Sequence, residues 1–344
     1  MDFAELGEFG LIARLGSRLH FRSPNVKIGI GDDCAVYECA GDKYQVVTAD
    51  ALLEKVHFNL STISAEQLGR KALSVNISDI AAMGGVPVLA LISLGVPRKL
   101  TVKFLDAFYD GLDQISRKYG VELAGGDTVA SPELFYINIT VLGEAKKDRL
   151  FTRRGARPGD KILVTGSLGD SALGLKLLRS PRRNWSATSR DKKTVVEKHL
   201  DPEPRMAASR MLAGSDAEIT SMIDISDGLV QDLGHICTAS GVGADLHAEA
   251  LPQSAALKRI CSRNRLDCME FVLGGGEDYE LLFTTTPEDV KKITERSQKA
   301  EAPIAVIGEI VPEPGKLSLV AENGWREPIR KPRGYDHFKR GEKG

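Results

Sequence analysis

Apolar residues recur at helical spacing in several parts of the chain. In the clearest segment Leu68, Ala72, Leu73, Ile77 and Ile80 form one stripe running to about Met83, and Ser64 with Gln67 supplies a capping box at its start. Thr101 caps a second predicted helix, with Phe104, Leu105, Phe108, Leu112, Ile115 and Tyr119 on one side and Gly120 as its stop. Further helices are predicted over residues 4–19, 169–178, 227–240 and 287–300. Strand-like runs cover Gln45–Thr48, Val88–Leu94, Phe135–Leu142, Lys161–Thr165, Glu280–Thr284 and Ala305–Ile310. The two kinds of element mix without strict alternation, so α+β layers are expected rather than a doubly wound sheet.

A chain of 344 residues is long enough for two domains. Lys146–Asp160 reads as a basic, glycine- and proline-containing linker, which gives domains at 1–145 and 146–344. Arg179–Lys193, also basic, reads as a solvated loop between helices, with a lone Trp185. From Ile80 to Pro97 no charge occurs for 18 positions, but Gly84, Gly85, Pro87 and Gly95 break the run into a helix end, a turn and a buried strand, so no membrane span is expected. Basic and acidic residues number 46 and 47, which argues against a polybasic nucleic-acid binder. Five cysteines without a C-x-x-C pair fit free thiols in a reducing cytoplasm, and the acidic start Met1-Asp2-Phe3-Ala4-Glu5 has no secretory core.

The phosphate-loop, dinucleotide, protein-kinase and H-E-x-x-H zinc signatures are all missing. Instead, apolar stretches repeatedly end in aspartate: Asp32-Asp33, Asp50, Asp79, Asp127, Asp224 with Asp227, and Glu277-Asp278. Carboxylates at element ends that meet in one cleft repel unless cations compensate. Their hard oxygens suit Mg²⁺, which takes one or two carboxylates and otherwise water and phosphate. Several ions holding a nucleoside triphosphate would explain the set. Singly, an aspartate before a helix is more often a cap than a ligand: Asp227 ahead of Gly228 and Asp170 after Gly169 read as caps, and Asp278 as a turn residue. Asp224-Ile225-Ser226-Asp227 lacks the D-x-D spacing of aspartyl-phosphate phosphatases. Arg153 is a phosphate fork or a solvated linker residue; His57 and Tyr109 are ligand-facing or packing groups.

Gly7-Glu8-Phe9-Gly10, Gly31-Asp32-Asp33, Val56-His57-Phe58, Lys71-Ala72-Leu73-Ser74-Val75-Asn76-Ile77-Ser78-Asp79, Gly125-Gly126-Asp127-Thr128, Ile225-Ser226-Asp227-Gly228, Gly275-Gly276-Glu277-Asp278-Tyr279 and Gly334-Tyr335-Asp336-His337-Phe338 together resemble the thiamine-monophosphate kinase family. They follow the family's order over nearly the whole chain. The resemblance implies an aminoimidazole-ribonucleotide-synthetase-like fold of two α+β domains, a homodimer paired through its N-terminal sheets, and an ATP/Mg²⁺ cleft lined by carboxylates. It implies ATP-dependent phosphorylation of thiamine monophosphate to thiamine diphosphate. Matched by motif, Asp33, Thr48, Ala49, Asp50, Asp79, Asp127, Asp224 and Asp227 are expected to bind metal. Tyr109, Gly126, Asp127, Arg153 and Ser226 are expected at ATP, and His57, Glu277 and Tyr335 at the substrate. Asp127, Arg153 and Asp227 are expected to be catalytic.

Three positions depart from the family pattern. Ala49 stands where a hydroxyl residue is usual, leaving only its carbonyl for a metal; Lys55 replaces a glycine and Arg154 a serine. The alternatives are another ATP-using member of the superfamily, forming an amidine or a selenophosphate, and a non-catalytic Mg²⁺-nucleotide-binding module.

Overall fold

The computed structural model describes residues 3–19, 23–300, 302–329 and 334–338. Its first half contains α1 (Phe3–Gly16), β1 (Val26–Ile28), β2 (Ala35–Glu38), β3 (Lys43–Leu53), α2 (Ala65–Ala82), β4 (Val86–Pro97), α3 (Val102–Tyr119), β5 (Glu122–Ser131) and β6 (Tyr136–Lys146). The strands form a sheet in the order β1-β2-β3-β6-β4-β5, antiparallel except for the β4–β5 pair at one edge. The predicted capping box closes α2: Ser64 Oγ accepts the Gln67 N–H at 3.1 Å, and Gln67 Oε1 accepts the Ser64 N–H at 3.2 Å. Gly69 and Gly111 let α2 and α3 touch backbone to backbone, since a Cβ on Gly69 would stand 2.0 Å from the Phe108 carbonyl oxygen.

The second half contains β7 (Lys161–Thr165), α4 (Asp170–Arg179), α5 (Ser189–Leu200), α6 (Met206–Ala213), β8 (Ile219–Asp224), α7 (Leu229–Ser240), β9 (Gly243–His247), α8 (Ala255–Asn264), α9 (Cys268–Gly274), β10 (Leu281–Thr285), α10 (Val290–Lys299), β11 (Ile304–Val311), β12 (Leu317–Val320) and β13 (Arg326–Pro328). Its sheet runs β13-β12-β9-β11-β7-β10-β8. One apolar cluster spans both halves, and a second is confined to the second half. Leu68, Leu73 and Ile77 of α2 belong to the same cluster as Met206, Leu212, Met222, Leu281 and Phe283.

Two segments differ from the sequence reading. The linker is a packed strap: Phe151 is buried, its N–H donates to the Met83 carbonyl, and the Met222 N–H donates to the Thr152 carbonyl. The basic loop is shorter than expected, because α5 already begins at Ser189. Trp185 anchors it, buried beneath the Arg183 guanidinium and donating from Nε1 to the Ser180 carbonyl. Among the described residues no helix is long and apolar enough to cross a membrane; residues 80–97 divide into the end of α2, a turn and β4.

Candidate active site

Asp33 precedes β2, Thr48 and Asp50 lie two apart on β3, Asp79 sits near the end of α2, and Asp224 ends β8. The period-two alternation of a strand sends the Thr48 and Asp50 side chains to one face and Ala49 to the other, so Ala49 brings only its backbone. Carboxylate oxygens of Asp33, Asp79 and Asp224 lie within 4.8 Å of one another. Thr48 Oγ1 donates to Asp79, and Ser78 Oγ donates to Asp224 Oδ2 at 2.5 Å. Asn76, one turn before Asp79, accepts the Asp50 N–H at 3.1 Å. Arg153 reaches back from the strap to Asp33, and its own N–H lies 3.3 Å from both Asp32 oxygens.

Burial and mutual repulsion raise these carboxyls. Burial and then Asp33 take Asp50 to about 6 and Asp224 to about 8; Asp79 goes well above the ordinary range through burial, Asp50, Asp224 and Asp33. Asp33 Oδ2 is buried with no hydrogen-bond partner among the described residues. A buried, crowded, all-oxygen donor set with an open acceptor atom fits Mg²⁺.

Asp227 does not cap α7. Gly228 occupies the cap position, and Asp232 Oδ2 instead accepts the N–H groups of Asp227 (3.2 Å) and Gly228 (3.0 Å). Asp227 Oδ2 accepts from Gln231 Nε2, and burial raises its carboxyl to about 6. Asp227, Asp232 and His235 make a second cluster of potential metal ligands. Asp278 turns inward, accepting from the Gly169 and Ser171 N–H groups at the start of α4, and Asp170 accepts from Ser167 and Ser254; both are structural.

A cleft of about 320 Å³ joins Asp50, Asp79, Ser226 and Asp227 on one side to His57, Glu277 and Tyr335 on the other. Leu53 donates its N–H to His57 Nδ1 at 2.9 Å, so His57 carries its proton on Nε2, 3.3 Å from His337 Nε2. Tyr335 stands 46% exposed on a strap over the cleft, its N–H donating to the Asp227 carbonyl and its own carbonyl accepting from Gln231. Glu277 faces two residues that sequence reasoning missed, Lys71 and His199. Lys71 precedes Asp79 by eight residues on α2, with Val75 between them, and a lysine on the buried side of a helix is the signal that could have found it.

Three of the expected residues lie apart. Tyr109, Gly126 and Asp127 line a separate hollow against Ile92 and Leu123, and all three are exposed. Asp127 stands within β5 rather than at its end. Gly126 (φ 151°) presses on β4, where a Cβ would stand 1.7 Å from the Ile92 carbonyl oxygen.

Residues 31–145 match the model of the AIR synthase related protein N-terminal domain, and residues 157–319 that of the corresponding C-terminal domain. The chain is similar to the thiamine-monophosphate kinase of Bacillus subtilis, 36% identical over 97% of this chain and 100% of that one. It is also similar to the thiamine-monophosphate kinase of Escherichia coli K12, 36% identical over 96% and 98%. Among solved structures, AaThiL complexed with AMPPCP and TMP superposes with a TM-score of 0.83 at 36% identity, covering 98% of this chain and 99% of that one.

Proposed function

This chain belongs to the thiamine-monophosphate kinase family, and from that premise we propose that its cleft transfers the γ-phosphoryl group of ATP onto the phosphate of thiamine monophosphate, giving thiamine diphosphate and ADP. The observation that carries this reading is the two-sided cleft, with clustered carboxylates facing His57, Glu277 and Tyr335.

The acceptor is a phosphate already ionised at neutral pH, so no strong base is required and direct in-line transfer suffices, without a phosphoenzyme. The difficulty is bringing two anions together. Asp33, Thr48, Asp50, Asp79, Asp224 and Asp227 would hold Mg²⁺, with Ala49 offering its carbonyl, and the ions would supply charge neutralisation for the phosphates. Arg153 leaves Asp33 for phosphate, where its fork suits two oxygens. Ser226 contacts the nucleotide, and His57, Glu277 and Tyr335 position the acceptor.

The exposed positions of Tyr109, Gly126 and Asp127 support a homodimer. Val86, Val88 and Leu91 of β4, Val129 of β5 and Tyr136 of β6 give the same sheet an exposed apolar patch, each about 40–55% exposed. Pairing this sheet with that of a second copy covers the patch and brings Asp127 and its neighbours to an ATP site. The described cysteines are all free, which suits the cytoplasm. The test is direct: incubate the protein with Mg²⁺, ATP and thiamine monophosphate, and follow thiamine diphosphate and ADP. One-to-one formation of both is expected. ATP hydrolysis without thiamine diphosphate overturns the reading.

A further inference from the structure

Lys71 is among the largest fully buried side chains of the protein, 1% exposed behind Glu277 and His199, which line the substrate side of the cleft. Its ammonium lies 3.1 Å from Glu277 Oε2 and donates to the His199 carbonyl at 3.0 Å. His199 Nδ1 stands 2.9 Å from the same Glu277 oxygen, and Ser171 Oγ lies 3.2 Å from that same nitrogen. Glu277 Oε1 takes no hydrogen bond from any described residue, although the side chain remains 23% exposed to the cleft. The backbone is committed as well. Glu277 has a φ of 63°, a left-handed conformation that a non-glycine side chain adopts at a cost, and its N–H is fixed to the Ser226 carbonyl at 2.7 Å.

Burying an ammonium is expensive, and an ion pair with an apolar alternative of similar volume is seldom kept for stability alone. We propose that Lys71 is a positioning residue for substrate recognition: with His199 it engages Oε2 of Glu277 and presents Oε1 as a fixed acceptor for an N–H on the heterocycle of the substrate. This rests on the kinase reading above and deepens it. Burial acts to raise the Glu277 carboxyl, but Lys71 and His199 outweigh it and hold it at about 2, so the acceptor stays ionised. Burial and Lys71 lower His199, which leaves the imidazole a neutral donor and the Lys71–Glu277 pair without net charge. The pocket accordingly selects a donor geometry.

The experiment compares thiamine monophosphate with its 4-oxo analogue, in which the pyrimidine amino group is replaced, measuring both binding and turnover with the full chain. Wild type is expected to prefer the amino substrate about tenfold or more, because the analogue leaves a buried acceptor unpaired. Lys71→Met should cut that preference to about threefold or less and raise KM for thiamine monophosphate, with KM for ATP changed by no more than about twofold. Lys71→Met strands Glu277, so Lys71→Met with Glu277→Gln is made alongside; it should recover melting temperature without recovering the preference. A Lys71→Met protein that melts lower but discriminates like wild type overturns the proposal, making Lys71 a structural tie. Wild-type turnover without discrimination overturns it too. Binding preference without any phosphoryl transfer supports the acceptor and overturns the kinase reading instead.

Discussion

Arg153 grips a single oxygen of Asp33 with two nitrogens: Nε lies 3.1 Å and Nη2 2.5 Å from Oδ1, while Oδ2 is buried without a hydrogen-bond partner. The guanidinium is 21% exposed and the carboxylate 1%, so the charge that needs the partner is the one sealed inside. Burial opposes the charge on Arg153, but Asp33 outweighs it and raises the guanidinium above its ordinary value. The same cation thus balances the acidic cluster before phosphate arrives and is then needed at phosphate.

Arg153→Met is expected to lose about a hundredfold or more in kcat, the scale of removing one fixed donor from a developing anion. It should also lower the melting temperature of metal-free protein, because Asp33 is left buried and uncompensated, at a cost of roughly 3–5 kcal/mol. Adding Mg²⁺ should return much of that loss. Steady-state kinetics with melts in EDTA and in Mg²⁺ check this; unchanged EDTA melts would show that the ion pair contributes little.

Asp50→Asn and Asp79→Asn should each abolish most activity while leaving metal-free protein as stable as wild type or more so. The sign follows from the raised carboxyls. Asp50 at about 6 and Asp224 at about 8 both stand above an unfolded value near 3.8. The unfolded chain therefore releases its protons first, and metal-free stability declines as pH rises from about 4 to about 8. Asp50→Asn removes one share of that decline, and Mg²⁺ should offset it at the alkaline end. Melts at pH 5 and pH 8 in EDTA decide; a wild type that gains stability over this interval refutes the argument.

Asp127→Asn and Asp50→Asn should complement each other if the exposed edge of one copy completes the cleft of another. Each variant alone is expected to be nearly inactive. Mixed, dissociated and reassociated, they form dimers with one intact site, so activity should rise to about a quarter of wild type on random pairing. Mixtures that stay as inactive as the parents would put both residues in one site of one chain.

Lys55 has a φ of 70° at a position where the family pattern has glycine. Its N–H is tied to the Phe58 carbonyl at 2.7 Å, which holds the turn that delivers His57. Lys55→Gly should therefore stabilise by up to about 1 kcal/mol, offset in part by the greater freedom of glycine in the unfolded chain. Turnover should change by no more than about twofold. A drop in melting temperature would mean that the lysine side chain contributes a contact worth more than the strain.

The elements with strong periodicity were legible in the sequence. The capped helices α2 and α3 lie where Ser64 and Thr101 predict them, and the strand runs sit within or beside β3, β4, β6, β7, β10 and β11. Short elements without periodicity were not. Polar α5 and brief α6 and α9 gain their order from packing, and β5 carries two glycines and an aspartate, which single-strand propensity rejects. Of the site, aspartates at element ends were visible because chain punctuation exposes them. Lys71 was signalled only by its place on the buried face of α2, and His199 was hidden because nothing local distinguishes a buried histidine from a solvated one; long-range packing decides it. The separation of Asp127 from the cleft belongs to the arrangement of strands in space, which motif order does not carry.

The apolar core shared between α2 and the second sheet has a mechanical consequence. Two halves that rest on one buried surface cannot swing apart on a flexible connector without exposing Leu73, Ile77, Met222 and Phe283 to water, at about 25 cal/mol for each Å² uncovered. The rim is held far more lightly. There the strap at residues 334–338 lies against α1, with the Glu8 N–H donating to Asp336 at 3.1 Å and the His337 N–H to Glu8 at 3.3 Å. A few such bonds can break and reform within a turnover. The shared core works as a fixed vise, and the strap at its rim is a latch held by only a few hydrogen bonds.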